Sequence, residues 1–183
     1  MPSIPYRTTF LDSETPRVAT KVKESRGGRR LNLDRMPLHC PPLAAGWGAL
    51  MSRGRAGCLI SVRHRELAIC AVFELNGADY DLHYHRGRLL QAGCNNEQLA
   101  AFRGVGAAAE SVALFDSAER AVLRLSLDST RSVAIRPETL DAAKACFPDP
   151  AQLLELMMIV ASYNMVSRVQ VDLGIEIEGA EAA

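Results

Sequence analysis

The chain has 183 residues, 48% of them hydrophobic and 23% charged, enough length and apolar content for one domain with a sizeable core. Twenty-one basic residues balance twenty-one acidic ones, so no global field draws the chain to nucleic acid or to a membrane surface. The opening segment, MPSIPYRTTFLDSETPR, lacks the continuous apolar stretch of a secretory signal, and apolar runs such as Leu156–Ala161 are too short to span a bilayer. A cytoplasmic protein is expected.

Residues 1–30 read as an N-terminal arm, with Pro2, Pro5, Pro16 and the Gly27–Gly28 pair and no sustained periodicity. Between Arg17 and Arg35, seven basic residues (Arg17, Lys21, Lys23, Arg26, Arg29, Arg30, Arg35) face only Glu24 and Asp34. Such a run can hold an acidic ligand, but the ordinary reading is a solvated segment. From Leu31 the pattern becomes helical. A short helix is expected over Leu31–Met36, stopped by Pro37, and another over Leu43–Arg53, ending near Gly54. Ser61 reads as the N-cap of a helix that Gly77 ends, and the next helix runs from Asp79 to Gly93. Asn95 or Asn96 caps a short helix through Phe102, and Gly104–Gly106 breaks it. Asp116 opens a further helical pattern, Pro137 starts a helix to Phe147, and Pro150 opens the longest segment, Ala151–Leu173. Strand-like alternation is weak everywhere except Val133–Ile135. The expected fold is all-α, roughly seven or eight helices, with the domain on residues 31–178 and a short tail at 179–183.

Two polar residues interrupt apolar helical stripes. Val62, Glu66, Ile69 and Phe73 advance by 4, 3 and 4, and Leu82, His85, Leu89 and Ala92 by 3, 4 and 3, so Glu66 and His85 each sit in a face that should be buried. Glu66 lies eleven residues before Gly77 and His85 eight after it, about 16 and 12 Å from the turn at 1.5 Å per residue. In an antiparallel hairpin that mismatch is less than one helical turn. A desolvated carboxylate beside an imidazole gives coupled groups able to exchange a proton near neutral pH, and a buried structural pair is the alternative.

Five cysteines, Cys40, Cys58, Cys70, Cys94 and Cys146, are widely spread with no CxxC pair and no zinc-like spacing, and read as reduced, mostly buried thiols. His83 and His85 are two apart, pointing about 160° from each other on a helix, and so cannot share a metal. The His39–Pro42 segment offers no second ligand at a recognisable spacing. No metal and no cofactor are expected.

Residues 63–102, RHRELAICAVFELNGADYDLHYHRGRLLQAGCNNEQLAAF, resemble the core motif of the carboxymuconolactone decarboxylase and alkylhydroperoxidase D superfamily. The flanking stretches 31–50 and 161–177 resemble its entry and closing helices. The resemblance implies an all-helical antiparallel fold assembled into trimers or hexamers, with active sites near subunit contacts. In the alkylhydroperoxidase branch a CxxC stands between the glutamate and the histidine. Here those positions are Ala78 and Asp81, twelve residues after Glu66 and four before His85, so the usual disulfide cycle has neither nucleophile nor resolving partner. The decarboxylase branch fits better, with Tyr80, Asp81, Leu82 and His85 in its order. By that resemblance Glu66 and His85 are the catalytic proton-transfer pair, and Tyr80, His83, Tyr163 and Arg168 are candidate substrate-binding residues, with Arg86 and Arg65 as further cations for a substrate carboxylate. Tyr163 and Asn164, polar within an apolar helix, can equally form a structural network. The expected function is a cofactor-independent lyase or isomerase acting on a small carboxylated, lactone-like or aromatic-catabolite molecule. A peroxide-reducing protein using Cys70 or Cys94, or a non-catalytic oligomeric ligand-binding protein, are the alternatives.

Overall fold

In the computed structural model, residues 2–10, 13–53 and 57–179 are described. The helix end expected near Gly54 and tail residues 180–183 lie outside them. All regular structure among the described residues is helical, in ten α-helices and two short 3-10 turns, which is the expected class with two helices more than the upper estimate. The chain divides into two compact units, residues 1–57 with 170–183, and residues 58–169.

The first unit contains α1 (Thr15–Ser25), α2 (Asn32–Arg35), the 3-10 turn Pro37–His39 and α3 (Pro41–Arg53). Part of the expected arm is therefore a helix. Pro16 sits in the first turn of α1, where its missing N–H costs nothing. Ala19 of α1 packs with Leu38 and Ala44, and Phe10 and Val18 lie against that cluster. The unit's chain ends are tied together: Ser3 N donates to Leu173 O at 2.8 Å, Asn32 Nδ2 to Glu176 O at 2.9 Å, and Glu176 N to the Tyr6 hydroxyl at 3.0 Å.

The second unit is built around α4 (Val62–Asn76), followed by α5 (Asp79–Gln91), α6 (Asn96–Ala101), the 3-10 turn Phe102–Gly104, α7 (Val105–Glu110), α8 (Ser117–Ser132), α9 (Pro137–Cys146) and α10 (Pro150–Leu173), of which residues 150–169 belong here. Every residue of α4 from Glu66 to Phe73 is buried, the signature of a helix covered on all sides; α5 and α8 lie against it. Local chemistry sets the ends. Ser61 Oγ accepts from His64 N at 3.0 Å, and Asn95 with Gln98, and Asp116 with Glu119, form reciprocal capping boxes. Gly77 ends α4 in the left-handed conformation, φ 64° and ψ 35°, which a side chain would oppose.

Val133–Ile135 is not a strand. Val133 follows α8 with φ 60° and ψ −52° and is 88% exposed, and Ala134 N reaches back to Ser132 O across it, a strained γ-turn for a β-branched residue. Three alternating residues after a capped helix are too few to pair. Gly106, read as part of a break, lies within α7, where an added Cβ would meet Leu127 Cδ2 at 3.7 Å, ordinary van der Waals contact.

Candidate active site

The α4–α5 hairpin places the two interrupting polar residues side by side. Glu66 is 1% and His85 6% exposed, and Glu66 Oε2 lies 2.6 Å from His85 Nδ1, within the range of a short charge-assisted hydrogen bond. The second carboxylate oxygen, Oε1, accepts from Arg65, whose terminal nitrogen stands 3.1 Å away. Arg65 is the residue before Glu66 in sequence, and its long side chain folds back across the helix. The same guanidinium reaches Cys58 Sγ at 3.8 Å.

Burial acts most strongly on Glu66 and pushes its pKa up. The His85 hydrogen bond and charge, with further help from Arg65 and Arg88, outweigh it and hold the carboxyl below its ordinary value. Glu66 is therefore the carboxylate at neutral pH. An anionic Glu66 fixes the proton on His85 Nδ1 and leaves Nε2 as the basic nitrogen. The imidazole is held in place by aromatic neighbours: Phe73 lies 5.5 Å and Tyr163 5.5 Å from it between ring centroids, and Phe73 and Tyr163 are themselves 5.4 Å apart, edge to face.

The other expected site residues are distributed differently. Tyr163 is buried and touches His85 directly. Tyr80 is buried and stacks edge-on with Tyr84 at 5.5 Å, while His83 is exposed and meets Tyr84 at 5.1 Å. Arg168 is exposed and donates to Asn164 O and Oδ1, one turn earlier on its own helix, at 3.1 Å. Asn164 belongs to a polar network with Asn76, Thr130 and Ser167, as a buried amide requires. Arg86 is exposed and pairs with Glu74 at 3.2 Å. Arg65 was named in the sequence as a cation for substrate; its place on Glu66 was not apparent, because adjacent helical residues diverge by about 100° and only a folded-back side chain joins them.

Among the cysteines, Cys70 and Cys94 are buried, Cys58 and Cys146 half-buried and Cys40 exposed. Burial, with the Glu66 and Cys94 charges, pushes the Cys70 thiol up, and burial does the same to Cys94. Neither is poised as a thiolate. No group of three or more His, Cys, Asp or Glu among the described residues is arranged to hold a metal ion, and no helix among them is long and apolar enough to cross a membrane.

Residues 41–124, which span the α4–α5 hairpin and both members of the Glu66–His85 pair, match a known family. The matching model is that of the carboxymuconolactone decarboxylase family. The resemblance read from the 63–102 motif is borne out by that match. No curated protein matches the chain. Solved structures share its fold: an uncharacterized peroxidase-related protein from Silicibacter sp. TM1040 has a TM-score of 0.77 at 16% identity, over 97% of this chain and 94% of that one. The debrominase Bmp8, in a cysteine-to-alanine form complexed with 2,3,4-tribromopyrrole, has a TM-score of 0.73 at 18% identity, over 98% and 95%. An alkylhydroperoxidase AhpD core protein, peroxidase-related, from Ralstonia eutropha JMP134 has 0.73 at 14%, over 97% and 95%. At these identities the likeness is one of fold, and a carboxymuconolactone decarboxylase-type fold hosts more than one chemistry.

Proposed function

We propose that this chain, which matches the carboxymuconolactone decarboxylase family over residues 41–124, is a lyase or isomerase that needs no cofactor and acts on a small carboxylated or lactone-like molecule, with Glu66 and His85 as its proton-transfer unit. The observation that carries this reading is the 2.6 Å bond between a buried carboxylate and a buried imidazole. With Nδ1–H donated to Glu66, His85 Nε2 takes a proton from substrate carbon. The resulting imidazolium is stabilised by the Glu66 carboxylate and returns the proton to a neighbouring carbon as the double bond shifts. Where a carboxylate leaves as carbon dioxide, the electron pair left on carbon is quenched by the same proton. Tyr163, in ring contact with His85, is the best placed of the substrate-binding candidates; Tyr80, His83 and Arg168 would contribute from the same family segment or the closing helix.

A thiol peroxidase has less support, because Ala78 and Asp81 replace the CxxC and both buried thiols have raised pKa values. The test uses carboxymuconolactone as first probe, with solvent-deuterium incorporation into carboxylated lactones as a broader assay. Glu66→Gln and His85→Gln should each remain folded and lose on the order of 10²–10⁴-fold in rate. The double variant should lose little more than the worse single, since groups acting in one step are not additive. Near-normal rates in both singles, accompanied by early melting, would make the pair purely structural. Peroxide turnover that disappears in Cys70→Ser or Cys94→Ser would move the protein to the thiol branch.

A further inference from the structure

The basic run at 17–35 is only partly accounted for by internal contacts. Arg26 pairs with Asp34 at 2.8 Å, and the Arg30 guanidinium stands 5.7 Å from the centre of the Phe10 ring. Arg17 and Lys21 are exposed, and among the described residues neither has a carboxylate partner. They are four residues apart on α1 and so share one face. Below them, between α1 and α3, lies a groove of about 380 Å³ whose floor is Val18, Val22, Ala44, Ala45 and Ala49. The groove exists because α3 carries small residues along this side: a Cβ added at Gly48 would meet nothing closer than Val22 Cγ2 at 3.9 Å. Its volume is within the range of small-molecule sites, roughly 300–1,000 Å³.

An occupant that complements two unpaired cations at the rim and an aliphatic floor has an anionic head and an apolar body. A simple inorganic anion would leave the floor wet, and a neutral hydrocarbon would leave the cations unanswered. We infer that the α1–α3 groove binds a small amphiphilic carboxylate, its head on Arg17 and Lys21 and its hydrocarbon body along Val18, Val22, Ala44, Ala45 and Ala49. The site shares no residue with the Glu66–His85 pair, so it stands or falls independently of the proposed reaction.

Trp47, the single tryptophan, precedes Gly48 on α3 and serves as an intrinsic reporter. Decanoate, kept below its micelle concentration, is titrated into the full chain by fluorescence and by calorimetry. Saturable binding at one molecule per chain is expected, weakened by salt and weakened about tenfold in the Arg17→Ser/Lys21→Ser double variant. Ala49→Leu should block the floor. Both changes fall on exposed positions, and circular dichroism checks that each variant is folded; if one is not, the other decides. Decanol should bind more weakly and inorganic phosphate not at all. Non-saturating titration, an unchanged affinity in the double variant, equal binding of decanol, or binding only to vesicles of anionic phospholipid would overturn the proposal.

Discussion

Glu66 couples the candidate chemistry to stability. Its carboxyl is held below the ordinary value of 4.5 in the folded chain, so protonating it is harder folded than unfolded, and the stabilisation it supplies is present above 4.5 and is lost as pH falls through the lowered folded value. Thermal melts followed from neutral to acid should therefore show a falling limb below the ordinary carboxylate range that is shallower in Glu66→Gln. That variant keeps an acceptor for His85 Nδ1–H and should cost about 1–3 kcal/mol at neutral pH. Parallel acid limbs for the two proteins would mean that Glu66 does not carry this linkage. Glu66 and His85 were legible in the sequence because helical spacing and one glycine turn fix both position and depth. The aromatic contacts on His85 were only half legible: Phe73 lies on the same stripe as Glu66, whereas Tyr163 comes from a helix nearly eighty residues further on and is placed by tertiary packing alone.

At the level of elements, boundaries were readable wherever the end is made by a local bond. Ser61, Asn95, Asp116 and Pro137 are all at helix starts, and each acts within three residues of itself. Helix α1 was missed because Pro16 was read as a breaker rather than as a first-turn residue, and α7 because Gly106 carries no local sign that it lies inside a helix, whereas Gly104 does interrupt the helical backbone with φ −137° and ψ 73°. The turn at Val133 is a tertiary outcome of another kind, in which the chain reverses between α8 and α9 through a conformation that disfavours valine. Such strain costs about 1–3 kcal/mol, against about 0.5–1 kcal/mol for the freedom a glycine loses on folding. With its side chain 88% exposed, little packing is lost. Val133→Gly should consequently raise the melting temperature by a few degrees, equivalent to about 1 kcal/mol; a lowered melting point would show that no strain is relieved there.

For the molecule as a whole, two apolar helices behave differently. In α4 the run Glu66–Phe73 is buried throughout. Helix α10 instead leaves Leu154 at 61%, Met158 at 48% and Met165 at 39% exposure, and their steps of 4 and 7 place them on one side. We propose that this face packs against further copies of the chain in a trimer or hexamer. Light scattering coupled to size exclusion at micromolar concentration should then give a mass of three protomers or a multiple of three, and Met158→Glu should reduce it. A 19.9 kDa particle for the unaltered chain would refute the assembly. The balanced charge that argued against nucleic acid and membrane surfaces is compatible with such self-association, which like net charge would oppose.

The αL glycine between α4 and α5 also bears on how this gene can vary. One residue added between Asn76 and Asp79 would alter the turn that sets the register of α5 against α4, where each residue of offset corresponds to about 100° and about 1.5 Å along a helix, and could carry His85 off Glu66 while leaving both helices intact. Substitutions along the exposed sides of the hairpin leave that register untouched. Insertions and deletions in this turn are therefore the changes most able to produce descendants that keep the fold and lose the dyad.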